Sequence, residues 1–161
     1  MSELLQALYA GDRAKADALL AQEPELNVFE AAATGRADRL RELLAGDAAL
    51  ANAFGDDSFH PLGLACFFGH VEAARVLLEH GADVDALSRN EHIQTAAIHA
   101  AAASGETGTD EATRYELVKL VLAHGADPNL EQGEGIRAID AARQNGDERV
   151  EALLREHGAD A

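Results

Sequence analysis

Apolar residues along this chain fall into two alternating kinds of short block. One kind is small: Ala31-Ala32-Ala33, Ala100-Ala101-Ala102-Ala103 and Ala141-Ala142. The other carries bulk at i, i+3, i+4 spacing: Leu40, Leu43 and Leu44; Val76, Leu77 and Leu78; Leu117, Val118, Val121 and Leu122; Val150, Leu153 and Leu154. That spacing places apolar side chains on one face of a helix and leaves the other face to water. Blocks this short do not hold as isolated helices. They must stack, and the small residues let neighbouring helices approach closely. The pattern predicts five helix pairs, near Glu3–Tyr9 with Arg13–Ala21, Val28–Thr34 with Ala37–Ala45, Pro61–Phe68 with Val71–Glu79, Ala97–Ser104 with Asp110–Ala123, and Ala138–Gln144 with Asp147–Glu156.

Glycines punctuate the pairs. Gly11, Gly35, Gly69, Gly105 and Gly146 each fall between two helices, 24, 34, 36 and 41 residues apart. Gly81, Gly125 and Gly158 follow the second helices, where a residue in the left-handed region ends a helix without a Cβ penalty. Pro61 sits where a helix starts without losing a needed donor. From Gly69 to Gly81 is 12 residues, as from Gly146 to Gly158, but from Gly105 to Gly125 is 20. The surplus lies around Glu106–Thr113, with Asp110 or Thr109 placed to cap a lengthened helix. A helix-pair unit recurring at this period marks a solenoid whose units touch their neighbours.

The letters are His60-Pro61-Leu62-Gly63-Leu64-Ala65, then Gly69-His70, Leu77-Leu78 and Gly81-Ala82-Asp83. They return as Ala96-Ala97-Ile98-His99-Ala100-Ala101 with Leu120-Val121-Leu122 and Gly125-Ala126-Asp127, and again as Ile139-Asp140-Ala141-Ala142 with Leu153-Leu154 and Gly158-Ala159-Asp160. This wording resembles the ankyrin-repeat family. The resemblance implies an all-α solenoid of helix pairs with short hairpin-like finger loops, one domain over 1–161 with units at about 2–25, 26–54, 55–87, 88–130 and 131–161. The fingers then fall at Ala51–Phe59, Val84–Thr95 and Pro128–Ile136, and the glycines of Gln132-Gly133-Glu134-Gly135 suit a tight turn at positive φ.

Charge narrows the partners. Thirteen basic residues face 29 acidic ones, a net −16, and the basic ones are scattered. Binding a polyphosphate needs clustered Lys and Arg, so nucleic acid is not expected, and an anionic membrane surface is disfavoured for the same reason. A run of apolar residues long enough to span a bilayer is absent, and Met1-Ser2-Glu3 lacks the basic start of a secretory leader. The single cysteine, Cys66, takes a first-helix alanine position and reads as a buried, inert thiol. Together these point to the cytoplasm. Eleven Arg against two Lys hints at a GC-rich bacterial source.

Catalytic chemistry finds no footing in the motifs. There is no Gly-x-Ser-x-Gly and no phosphate-cradling glycine run ending in Lys-Ser or Lys-Thr. Repeat position accounts for five of seven histidines: His70 after its glycine, His99 at the family's motif histidine, and His80, His124 and His157 before the helix stops, where a cation suits the C-terminus. The last three stand one unit apart, about 10 Å per step in stacked helices. That is too far for one metal with ligands at about 2 Å. His60 and His92 are left as exposed finger residues or binding contacts. No catalytic residue, metal ligand or cofactor is expected.

One surface anomaly remains. By the resemblance, the two residues before each interhelical glycine face the concave side, and here they are Tyr9-Ala10, Ala33-Thr34, Phe67-Phe68, Ala103-Ser104 and Gln144-Asn145. Phe67 and Phe68 stand out at mid-array, with Phe54 and Phe59 in the adjoining finger and His92 and Ile93 in the next. Asp56, Asp57, Asp85, Glu91, Glu131 and Glu134 would rim them. An aromatic centre within a charged rim is the anatomy of a protein interface. The resemblance implies a non-enzymatic interaction scaffold. Its expected partner is a protein or peptide of basic character, held by Phe67, Phe68, Phe54, Phe59, Asp56, Asp57, His60, Glu91, His92, Ile93 and Glu131. The expected state is a monomer. The rival reading is a regulatory or inhibitory subunit of an enzyme complex, and a third, less favoured, is a small-ligand or metal-binding module.

Overall fold

In the computed structural model, residues 1–160 are described. They form α1 (Glu3–Tyr9), α2 (Arg13–Leu20), α3 (Val28–Ala33), α4 (Ala37–Gly46), α5 (Pro61–Phe67), α6 (Val71–Glu79), α7 (Ala97–Ala103), α8 (Glu111–Ala123), α9 (Ala138–Asn145) and α10 (Glu148–Glu156). Each odd helix packs on the even helix that follows it. The odd helices stack in the order α1, α3, α5, α7, α9, while α4, α6, α8 and α10 form a second layer. The architecture is the all-α repeat solenoid that the sequence pattern predicts.

The packing follows the two kinds of apolar block. Ala31, Ala32, Ala65, Ala101 and Ala142 on the first helices are fully buried, and so are Leu40, Val76, Leu77, Leu117, Val118, Val121, Val150 and Leu154 on the second. Helices of six to 13 residues are held by this burial rather than by their own backbone bonds. Side-chain caps fix where they start. Asp12 accepts from the Lys15 amide and Asp110 from the Thr113 amide, while Asn27 and Glu30 form a reciprocal capping box.

The N-terminal pair is attached differently. Of the eight residues of α2 only Ala16 is buried, and α2 makes no substantial packing against α4. An open cleft of about 750 Å³ separates them, bordered by Leu20, Glu25, Leu26, Arg36 and Arg39.

Unit four departs from the expected punctuation. A short 3-10 turn, Ser104–Thr107, follows α7, and the left-handed glycine is Gly108 (φ 85°), not Gly105. In the last finger, β1 (Glu131–Gln132) and β2 (Ile136–Arg137) pair antiparallel, Glu131 opposite Arg137. The positive φ there falls on Glu134 (67°) and Gly135 (74°), so Gly133 does not serve the turn as its letters suggest.

Candidate functional site

Units are tied to one another by polar bonds from chemically unlike residues. His70 Nε2 meets the Ala33 carbonyl at 3.0 Å, the Thr107 hydroxyl donates to the Phe67 carbonyl at 2.7 Å, and Asn145 Nδ2 donates to the Ala102 carbonyl at 3.1 Å. In each case a side chain near an interhelical turn caps the end of the preceding unit's first helix, where carbonyls lack helical partners. Burial lowers the pKa of His70 below the ordinary histidine value, against the pull of the Ala33 carbonyl.

His60 is corrected by the structure. It is 3% exposed and cannot serve as a surface contact. It caps α5: the Gly63 amide donates to Nδ1 at 3.0 Å, which leaves the proton on Nε2 to donate to the Ala86 carbonyl at 2.9 Å. His99 does the same one unit on, with the Ala96 amide on Nδ1 and Nε2 donating to the Leu130 carbonyl at 2.7 Å. The two histidines occupy different places in their motifs, the first and the fourth, yet satisfy equivalent finger carbonyls. Gly63 completes the exchange, because a Cβ there would come within 3.0 Å of the His60 ring. Burial lowers both pKa values, opposed by the carbonyl bonds and by Asp83 and Asp85 respectively.

The aromatic residues gather, though not as one patch. Phe67 and Phe68 lie edge to face with ring centroids 5.3 Å apart, both half-buried. Tyr9, from the N-terminal pair, reaches Phe68 at 5.6 Å and Phe59 at 6.4 Å. Its hydroxyl donates to Asp57 Oδ2 at 3.0 Å, and burial followed by the Asp57 charge pushes the phenol pKa far up. Tyr9 belongs at the centre of this group. Its place in the pair Tyr9-Ala10 was the available signal. Phe54 stands apart, edge-on to His60 at 5.9 Å and covered by the Arg89 guanidinium 4.0 Å from its ring centre.

The fingers around this group are well fastened. Gly55 and Phe59 close their finger through a 2.9 Å backbone bond, and Asp57 Oδ1 accepts from the Phe59 amide. In the next finger Ser88 and Thr95 are joined at 2.9 Å, Asn90 Oδ1 accepts from the His92 and Ile93 amides, and the Arg89 amide donates to the Ser58 carbonyl. Glu91, His92 and Ile93 are exposed at its tip, Ile93 at 52%. Asp56 is exposed beside the N-terminal ammonium at 3.1 Å, and Glu131 is exposed at the base of the last hairpin. Cys66 is fully buried in α5, and burial pushes its thiol up to about 12. Among the described residues no three His, Cys, Asp or Glu side chains converge as a metal site would require, and no helix is long and apolar enough to cross a membrane.

Stacked helix pairs joined by protruding fingers define a repeat-built solenoid whose units contact their neighbours. The model for "Ankyrin repeats (3 copies)" matches residues 28–132, and the chain belongs to the ankyrin-repeat family. It is 33% identical over 96 residues to an E3 ubiquitin-protein ligase, hecd-1, of Caenorhabditis elegans, a match covering 59% of this chain and 3% of that protein. It is 40% identical over 75 residues to ankyrin repeat and SOCS box protein 16 of Mus musculus, covering 47% of this chain and 14% of the relative. The chain thus spans a small fraction of the length of either.

Proposed function

We propose that this chain is a non-enzymatic recognition module that holds a protein or peptide, preferentially a basic one, on its concave face. The observation that carries the reading is the aromatic group Phe59, Phe67 and Phe68, joined through Tyr9 and the Asp57 carboxylate it holds, next to fingers bearing Asp56, Glu91 and Glu131. Half-buried rings supply contact area that excludes water. The net −16 charge steers a basic partner toward the site and speeds encounter more than it tightens binding. His92 and Ile93 extend the contact along the second finger, and Phe54 with its covering Arg89 offers a separate contact in the first. The module acts as a monomer in a reducing cytoplasm, where a buried, unreactive Cys66 is at home.

The test is affinity capture from the source cells with the wild-type chain and with Phe67→Ala/Phe68→Ala, read by mass spectrometry. The partner captured by wild type should be lost from the variant, and raised salt should slow its association. Full retention of that partner by a folded double variant would overturn the reading. A second reading, a regulatory or inhibitory subunit of an enzyme complex, draws on the relative named as a ubiquitin ligase. It predicts that the captured partner is an enzyme whose activity changes on binding.

A further inference from the structure

The N-terminal pair is held through one face of α1, which buries Leu4, Leu5 and Ala7 in the core, and through its turn. Tyr9 bypasses the neighbouring unit, where the matching positions hold the small Ala33 and Thr34, and sets its ring on Phe68 and Phe59 two units away. Its hydroxyl is bonded to Asp57 across 48 residues of sequence. The N-terminal ammonium holds Asp56 in the same finger. The Arg13 guanidinium lies against Gly108 in the inserted turn of unit four, where a Cβ would sit 3.4 Å from it. Behind this grip the packing is uneven: α1 buries three residues, whereas α2 buries one and an open cleft divides it from α4. A terminal helix pair that seats Leu4, Leu5 and Ala7 on one neighbour only, and whose second helix buries a single residue, belongs toward the low-stability end of a fold.

We infer that the turn Tyr9–Arg13 is a self-docked cap that covers the Phe59/Phe68 seat and must swing away before a partner can occupy it. The inference rests on the recognition reading, since it concerns the same rings. It adds that the site is closed in the free protein. The cap opens about the connector 21–24, which lies beyond the end of α2 and where Glu23 takes a left-handed φ of 50°. The connector ends ahead of the point at which Arg39 holds Glu25 and the Leu26 carbonyl. A partner's apparent affinity is then reduced by the fraction of molecules that are closed.

Hydrogen–deuterium exchange on the full chain, combined with binding of the neutral dye Nile red, tests this. In wild type the amides of α1 and α2 should exchange at least about tenfold faster than those of α5 and α7, as expected for a unit that opens by itself. Tyr9→Ala should accelerate α1, α2 and the finger 54–59 further, leave α7–α10 unchanged, and raise Nile red fluorescence several-fold. Adding Phe67→Ala/Phe68→Ala to Tyr9→Ala should abolish that rise. Tyr9→Phe keeps the ring and loses only the Asp57 bond, so it should fall between wild type and Tyr9→Ala. Exchange of α1 and α2 at the same rate as the core would overturn the cap, and so would accelerated exchange with no gain in dye binding. Retention of the captured partner by Phe67→Ala/Phe68→Ala would instead sink the proposed site, whatever the cap does.

Discussion

Asp147 joins two tasks in one buried side chain, and removing it should separate the last unit from the array. Its carboxylate is 1% exposed and receives Arg114 Nε at 2.9 Å, while Oδ1 caps α10 by accepting from the Val150 amide at 3.3 Å. Arg114 comes from α8, so the pair crosses the junction between units four and five. Its side chain is 13% exposed, which leaves it little water once the partner is gone. Breaking a buried pair by removing one member costs about 3–5 kcal/mol, and loss of a cap costs about 1 kcal/mol. Arg114 keeps its bond to the Thr109 carbonyl, so the low end applies and Asp147→Ala should lose about 4 kcal/mol. For a domain of this size that is roughly 8–16 °C in Tm. Asp147→Asn retains an oxygen to cap α10 and should lose less, about 2–3 kcal/mol, the charge-dependent part alone. Urea unfolding gives the free energies, and exchange at α9–α10 amides should rise before that of α5–α7. A loss under about 1 kcal/mol for Asp147→Ala, within the range of an exposed pair, or equal losses for the two variants, would refute the division of labour.

Three other outcomes follow from named contacts. Gly35 sits at φ 71° and a Cβ there would meet His70 Nδ1 at 2.5 Å, so Gly35→Ala must strain its backbone and displace the His70–Ala33 bond; a loss of about 1–3 kcal/mol is expected in thermal melts, and an unchanged Tm would contradict it. His60, His70 and His99 have pKa values lowered by burial, so the unfolded chain binds protons that the folded chain refuses; stability should be full above the unfolded value of about 6.5 and fall as pH drops below it toward the folded values. Urea midpoints flat or rising with acidification from neutrality to about pH 5.5, above the carboxylate range, would count against that linkage. Asn52 and Asn129 each donate to the carbonyl of a helix-stop glycine, Gly81 and Gly158, and accept from the amide two residues beyond it, while Asp85 accepts from the Asp127 amide but has no proton for Gly125. Asp85→Asn should therefore complete the series and raise stability by about 0.5–1.5 kcal/mol; a lower Tm for this variant would refute the equivalence.

What the sequence disclosed and what it withheld divide along a physical line. Helix positions were readable because burial enforces a period: Leu40 with Leu43 and Leu44, or Val118 with Val121 and Leu122, cannot face one core unless the segment is helical. The cap of α8 was readable to within Asp110 or Thr109 because only a few residue types do that work locally, and the fold selects Asp110. The ties between units were not, because a helix-end carbonyl accepts from any donor that reaches it. Histidine, threonine and asparagine fill equivalent roles at His70, Thr107 and Asn145, and no single letter marks them. His60 misled for the same reason. A histidine at the first position of its motif looked like a finger side chain, yet the ring needed to reach Ala86 is the one that His99 supplies from the fourth position, and the exchange is visible only with Gly63 beside it. Gly105 stands where the repeat pattern puts the interhelical glycine, but the 3-10 turn postpones the left-handed residue to Gly108.

The aromatic site shows the same limit at longer range. The pair Phe67-Phe68 and the phenylalanines of its finger were conspicuous because aromatic residues are scarce in this chain, but composition carries no information on which ring meets which. Tyr9 joins them because unit two offers the small Ala33 and Thr34 at the matching positions, and because the seating of α1 on α3 carries its C-terminal turn to the finger of unit three. Both causes are properties of neighbours rather than of Tyr9 itself. A repeat scaffold fixes the positions of its units through buried small residues and leaves its surface letters unconstrained. The features that distinguish this member from any other stack of helix pairs are therefore contacts such as those of Tyr9 with Phe59 and Phe68, between non-adjacent units, and these exist only once the stack has formed.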